Sequence, residues 1–222
     1  MTAYACSDLH GNYELFKKVI SYLKADDTLY FLGDAADRGE DGYQIIKELL
    51  SDPRVKYIKG NHEQMFVDAS IHTPNTTEED TWDLYFDASD KRSLFFYNGG
   101  YSTWLAWEAE GYPKDIINNI KNLPLFDKYI NKNRQTIILS HSGNIEDIWD
   151  RQHFLIIEEI PEDTFYVHGH TPISYIKKSH QDRDKIPYIY NNGHKIDIDC
   201  GTAQTNTTVL LNLDTLESIV VK

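Results

Sequence analysis

Residues 28–39 read Thr-Leu-Tyr-Phe-Leu-Gly-Asp-Ala-Ala-Asp-Arg-Gly, and residues 55–63 read Val-Lys-Tyr-Ile-Lys-Gly-Asn-His-Glu. In both, a short β-prone run stops at a glycine and a polar cluster follows at once, which predicts a buried strand ending in a sharp turn. Between them Ile45, Ile46, Leu49 and Leu50 recur at helical spacing, and the pre-proline position of Asp52 ends that helix. Upstream the same order holds. Residues 2–6 form an apolar run, and Phe16, Val19, Ile20 and Leu23 mark the inner face of a helix. A βαβαβ order predicts parallel strands joined by crossover helices.

Working outward, residues 64–123 read as a mostly helical insertion, or cap, within one domain spanning 1–222. It is rich in aromatics (Trp82, Tyr85, Phe86, Phe95, Phe96, Trp104, Trp107) and interrupted by Pro74, Asn98-Gly99-Gly100 and Pro113. Core packing is the reading for those rings. Beyond it, strand-like runs dominate: 126–130, 135–140, 164–168, 187–190, 195–199, 207–213 and 217–221, with turn signals at Asn192-Gly193 and Asp214-Thr215. The expected fold is α/β, a four-layer sandwich of two mixed sheets flanked by helices.

Composition narrows the function. With 222 residues, 41% hydrophobic and 26% charged, the chain reads as globular. No apolar run approaches the ~20 residues of a membrane span. The start, Met1-Thr2-Ala3-Tyr4, has no basic and apolar leader, so a cytoplasmic location is expected. Cys6 and Cys200 lie in apolar runs and read as buried hydrophobes. A net charge of −13 argues against a nucleic-acid or membrane partner, which would need clustered Lys and Arg.

Five polar clusters each follow a strand: Asp8-Leu9-His10-Gly11-Asn12, Gly33 to Gly39, Gly60 to Glu63, His141-Ser142-Gly143 and Gly169-His170-Thr171. Loops at the carboxyl ends of neighbouring strands converge on one crevice. Carboxylates, a carboxamide and imidazoles gathered there suit manganese, iron or zinc.

This ordered set resembles the phosphoprotein phosphatase superfamily of binuclear metallophosphoesterases, and in size and spacing its compact bacterial and phage type, such as lambda phosphatase. The likeness runs from residue 7 to about 202. It implies two divalent cations, with manganese first among the metals above. One is held by Asp8, His10 and Asp34, the other by Asp34, Asn61, His141 and His170. It implies that a water shared by the pair attacks phosphorus in line, and that His62 is the general acid, oriented by Asp37, which keeps its pKa high. Arg38 resembles a phosphate clamp, and Arg151, in Trp149-Asp150-Arg151, a second one. Ser7 stands where many members have glycine. Lys59 stands where arginine is common, which leaves its part in phosphate contact open. His168 is expected to pack or hydrogen-bond beside the ligands. His72, His153, His180 and His194 read as solvated.

The implied activity is hydrolysis of a phosphate monoester on a protein, serine/threonine or dual-specificity. The alternative within the fold is a hydrolase of dinucleoside polyphosphates or small phosphorylated metabolites. A phosphodiesterase would want a basic or aromatic groove, and a non-catalytic phosphate-binding module should have lost a ligand or the acid. Both Asp37 and Glu63 favour the phosphatase reading.

Overall fold

The computed structural model of the protein describes residues 1–71, 90–152, 158–176 and 186–222. Two five-stranded sheets, each with parallel and antiparallel pairs, are flanked by helices. The first contains β1 (Ala3–Cys6), β2 (Thr28–Phe31), β3 (Val55–Tyr57), β9 (Thr208–Asn212) and β10 (Ser218–Val221), in the order β10-β9-β1-β2-β3. The second contains β4 (Phe126–Ile130), β5 (Thr136–Ser140), β6 (Thr164–His168), β7 (Tyr188–Tyr190) and β8 (Lys195–Asp197), in the order β4-β5-β6-β8-β7. The expected α/β sandwich of two mixed sheets is the fold.

Alternation along the strands explains the layers. Ala3, Ala5, Tyr30, Leu32, Val209 and Leu211 point into the space between the sheets, where Ile137, Leu139, Val167, Ile196 and Ile198 meet them. The intervening residues Cys6, Leu29, Phe31 and Leu210 face the helices. This period of two lets each central strand feed both layers. Each fully buried aliphatic side chain there is worth about 1.5–3 kcal/mol.

Helix α1 (Tyr13–Tyr22) buries Phe16 and Val19, and α2 (Gly42–Ser51) buries Ile45, Ile46 and Leu49 before stopping at Asp52. Asn12 caps α1 by accepting the Leu15 N–H. The middle section contributes α3 (Asn61–Ile71), α4 (Lys91–Tyr97), α5 (Tyr101–Ala109) and α6 (Lys114–Lys121). Phe66, Phe95, Trp104, Trp107 and Ile120 share one core with α1, α2 and the first sheet. Trp82, Tyr85, Phe86 and Pro74 lie outside the described residues, as do His72, His153 and His180.

β1, β2 and β3 are mutually parallel, so the loops after Cys6, Phe31 and Tyr57 leave the same end of the first sheet. β5, β6 and β8 do the same in the second sheet. Stacking brings the two rows of loops together. No helix among the described residues is long and apolar enough to cross a membrane.

Candidate metal centre

The loop after β2 is held tightly to its neighbours. Gly33 has φ +90°, and a Cβ there would lie 2.5 Å from the Gly60 backbone. Gly11, at φ +70°, faces Gly39 in the same way, at 2.6 Å. These close approaches need the missing side chain. Six residues of the expected site also have left-handed backbones: Asp8, His10, Asp34, Asp37, Arg38 and His170, with φ from 46° to 74°. Such conformations cost of order 1–3 kcal/mol each and persist only where the surroundings fix them.

Much of that fixing comes from Glu63, whose structural role the sequence did not reveal. Its Oε2 accepts the N–H groups of Asp34 at 2.8 Å and Gly60 at 2.9 Å, and its Oε1 accepts that of Ala35 at 2.9 Å. One buried carboxylate thereby joins the loops of β2 and β3.

All ten residues named from the sequence meet at one place. The donor atoms of His10, Asp34 and His62 lie within 4.8 Å of one another, and so do those of Asp34, His141 and His170. Asp34 belongs to both groups, and His62, read from the sequence as the acid, stands in the first where Asp8 was expected. Its Oδ2 is 3.8 Å from Nε2 of His10 and equally far from Nε2 of His62, while its Oδ1 is 3.3 Å from Nε2 of His141. Asn61 Oδ1 is 2.9 Å from His141 Nε2, and His170 Nδ1 is 3.1 Å from that same nitrogen. Asp8 Oδ1 lies 4.0 Å from His10 Nε2, and its carboxylate accepts the His170 N–H. Ser7, in place of glycine, donates its hydroxyl to Asp8 Oδ2.

The rings are oriented from behind. His10 Nδ1 donates to the Ala36 carbonyl at 3.0 Å and His141 Nδ1 to the Leu32 carbonyl at 2.7 Å. Each Nε2 lone pair is thus turned inward, the arrangement that favours ligation. Burial, aided by Arg38, holds His10 neutral, its pKa lowered to about 3, and burial does the same for His141. Burial pushes Asp8 and Asp34 above the usual carboxylate range, with repulsion from Asp199 on the first and Glu63 on the second. A divalent cation is the partner that suits neutral imidazoles and ionises such carboxyls, so the donor set fits one.

His62 Nδ1 donates to Asp37 Oδ2 at 2.7 Å, and both residues are buried. Burial, then His10 and Arg38, lowers His62 well below its ordinary value, while burial raises Asp37. The high histidine pKa expected from Asp37 therefore does not hold in this arrangement, because desolvation outweighs the partner. Asp37 is itself gripped by Thr103 of α5, whose hydroxyl donates to Oδ1 at 2.9 Å.

Arg38 and Arg151 are the exposed members of the group, whereas the ligands are buried. Arg38 donates from Nη1 to His10 Nε2 at 2.9 Å and from Nη2 to His62 Nε2 at 3.1 Å. Arg151 follows a turn and donates to the His170 carbonyl at 2.8 Å.

Lys59 is elsewhere. Its ammonium binds the Lys121 carbonyl at 2.8 Å, at the carboxyl end of α6, where a cation complements the helix dipole. It ties the middle section to β3 and makes no contact with the ligand set. His168 packs as expected, with Nε2 2.7 Å from the Tyr190 hydroxyl. His194 is half-buried and bonds the Thr164 carbonyl, so it is not simply solvated. Asp199 was missed because it ends a strand-like run; it is buried, and burial raises it to about 6.

A fold of two stacked mixed sheets with paired carboxylate and imidazole groups at their joined ends defines a metallophosphoesterase architecture. The chain belongs to the calcineurin-like phosphoesterase family, whose profile matches residues 1–198. Among curated relatives, a symmetrical bis(5'-nucleosyl)-tetraphosphatase of Buchnera aphidicola subsp. Acyrthosiphon pisum (strain Tuc7) is 25% identical over 171 residues, covering 67% of this chain and 60% of that protein. This chain therefore spans about 60% of that relative's length. Serine/threonine-protein phosphatase 2 of Escherichia coli (strain K12) is 32% identical over 91 residues, covering 37% of this chain and 39% of that protein. Among solved structures, a metallophosphoesterase from Sphaerobacter thermophilus superposes with a TM-score of 0.61 at 14% identity, covering 100% of this chain and 86% of that one.

Proposed function

We propose that the protein is a metal-dependent phosphohydrolase built for phosphate monoesters with alkoxide leaving groups, the class that includes phosphoseryl and phosphothreonyl proteins. The observation that carries this reading is the His62–Asp37 pair, 2.7 Å apart, beside the exposed Arg38. An alkoxide leaves poorly unless it is protonated, so a positioned imidazole is of most use there.

Asp8, His10 and Asp34 would hold one cation, and Asp34, Asn61, His141 and His170 the other, with manganese favoured over iron or zinc. The chemistry such a pair supplies is neutralisation of phosphoryl charge and acidification of a water. Arg38 and Arg151 bind the incoming phosphate and orient it, the guanidinium of Arg38 exchanging its imidazole acceptors for phosphate oxygens. A dianion brought against His62 Nε2 favours the protonated ring and reverses the effect of burial. That proton then passes from Nε2 to the departing oxygen, while Asp37 holds Nδ1–H.

A second reading has its own support. The curated relatives aligned with two thirds of the chain are symmetrical bis(5'-nucleosyl)-tetraphosphatases, while the protein phosphatase aligns with little more than a third. The comparisons weigh toward a dinucleoside polyphosphate substrate. Its leaving group is a nucleotide phosphate, which departs without much help from an acid, so the His62–Asp37 pair favours the first reading.

The test is purified protein with added manganese, its metal content measured, offered a phosphoseryl peptide, p-nitrophenyl phosphate and diadenosine tetraphosphate. A kcat/KM highest on the peptide supports the monoester reading. Symmetrical cleavage of the dinucleotide with the peptide untouched replaces it with the second.

A further inference from the structure

Three consecutive residues of the β2–α2 loop are each hydrogen-bonded to residues 99–103, which run from the joint after α4 into the first turn of α5. The Thr103 hydroxyl donates to Asp37 Oδ1 at 2.9 Å and accepts the Asp37 N–H at 3.2 Å. The Gly99 carbonyl accepts the Arg38 N–H at 3.0 Å. The Ser102 hydroxyl donates to the Gly39 carbonyl at 2.7 Å. Thr103 is fully buried, and Gly99, at φ +95°, sits so close that a Cβ would lie 2.9 Å from the Arg38 nitrogen.

From this geometry we infer that residues 99–103 act as a positioning clamp for the acid side of the site, with Thr103 as its decisive member. Asp37 has two oxygens and two partners, Thr103 on Oδ1 and His62 on Oδ2. With Oδ1 held, the carboxylate plane is fixed, and Oδ2 can meet only one edge of the His62 ring. That pins Nδ1 as the donor and leaves Nε2 facing Arg38 and Asp34. Because Asp37 and Arg38 both have left-handed backbones, at φ 69° and 65°, the loop would otherwise relax away from this conformation. The segment binds no ligand atom of the metal groups, so its effect is confined to proton delivery and phosphate orientation. A helical insertion that looks like a packing element from sequence is thereby part of what makes the site a general-acid catalyst.

This inference rests on the monoester reading, and the two can fail separately. Thr103→Val keeps the volume and removes the hydroxyl; Thr103→Ser keeps the hydroxyl. With the peptide and p-nitrophenyl phosphate as substrates, Thr103→Val should lose about tenfold in kcat on the peptide and several-fold less on the aryl ester, within the range that general-acid catalysis contributes. Thr103→Ser should restore the peptide rate. Without any metal, the Nδ1–H resonance of His62 should be visible by NMR in the parent and in Thr103→Ser, and exchange-broadened in Thr103→Val. Equal losses on both substrates, or an unchanged Nδ1–H signal in Thr103→Val, overturns the clamp. Should Thr103→Val unfold, Thr103→Ala removes the same hydroxyl and carries the same comparison against Thr103→Ser. A parent protein inactive on the peptide sinks the monoester reading instead, and the NMR comparison still decides the clamp.

Discussion

The loops of the first sheet and those of the second supply the site in different ways. Asp8, His10, Asp34, Asp37 and Arg38 come from the first sheet with strained backbones, two glycine pairs in contact and Glu63 stapling Asp34, Ala35 and Gly60. His141, His170 and Arg151 come from the second, where His170 alone of the three has a left-handed backbone; His141 leans on the Leu32 carbonyl and the His170 N–H on Asp8, both of the first half, while Arg151 bonds His170 within its own half. One half is a self-braced frame, while the other docks onto it. Strain is tolerated where bonding over-determines it, and that bracing concentrates in residues 8–63.

The comparison can be broken most severely at Asp34, the residue both groups share. Asp34→Asn should lower kcat/KM on p-nitrophenyl phosphate by about a thousandfold, given the several kcal/mol such cations supply. It should also reduce bound metal, and near-parental turnover with full metal content would contradict the bridge. His62→Asn should cost about a hundredfold on the phosphoseryl peptide and much less on p-nitrophenyl phosphate; equal losses would remove its acid role. Glu63→Gln sharpens the contrast in stability. An amide donor would face the N–H groups of Asp34, Ala35 or Gly60, so a loss of about 2 kcal/mol is expected in denaturant unfolding. Arg151→Ala, on the docking half, should leave stability within about 0.5 kcal/mol of the parent and metal content unchanged. Its KM should rise by roughly tenfold, the worth of one charge-assisted contact. If Arg151→Ala destabilised the fold as much as Glu63→Gln, the distinction between frame and dock would be gone.

Glycine-bounded polar clusters after apolar runs were readable because turn chemistry is local: a residue's φ and the room for a Cβ depend on its neighbours. The strand run 126–130 coincides with β4, where exposed and half-buried residues alternate, and 164–168 coincides with β6, a short β-prone run whose last two residues are buried. What escaped reading was pairing between distant segments. Thr103 lies 66 positions from Asp37, and nothing about a threonine in a helix announces its acceptor. Lys59, next to the Gly60–Glu63 cluster, had its part in phosphate contact left open by the sequence, and it caps a helix whose end lies 62 residues away.

The sequence by itself determined the element order, the two sheets and the identity of the residues that converge, since periodicity and turn residues act over a few positions. Only the tertiary structure decided which imidazole nitrogen faces inward, which arginine stands exposed, and that burial holds His62 neutral despite Asp37. Desolvation and hydrogen-bond direction depend on everything packed around a group, and that surrounding exists only once the two sheets have met.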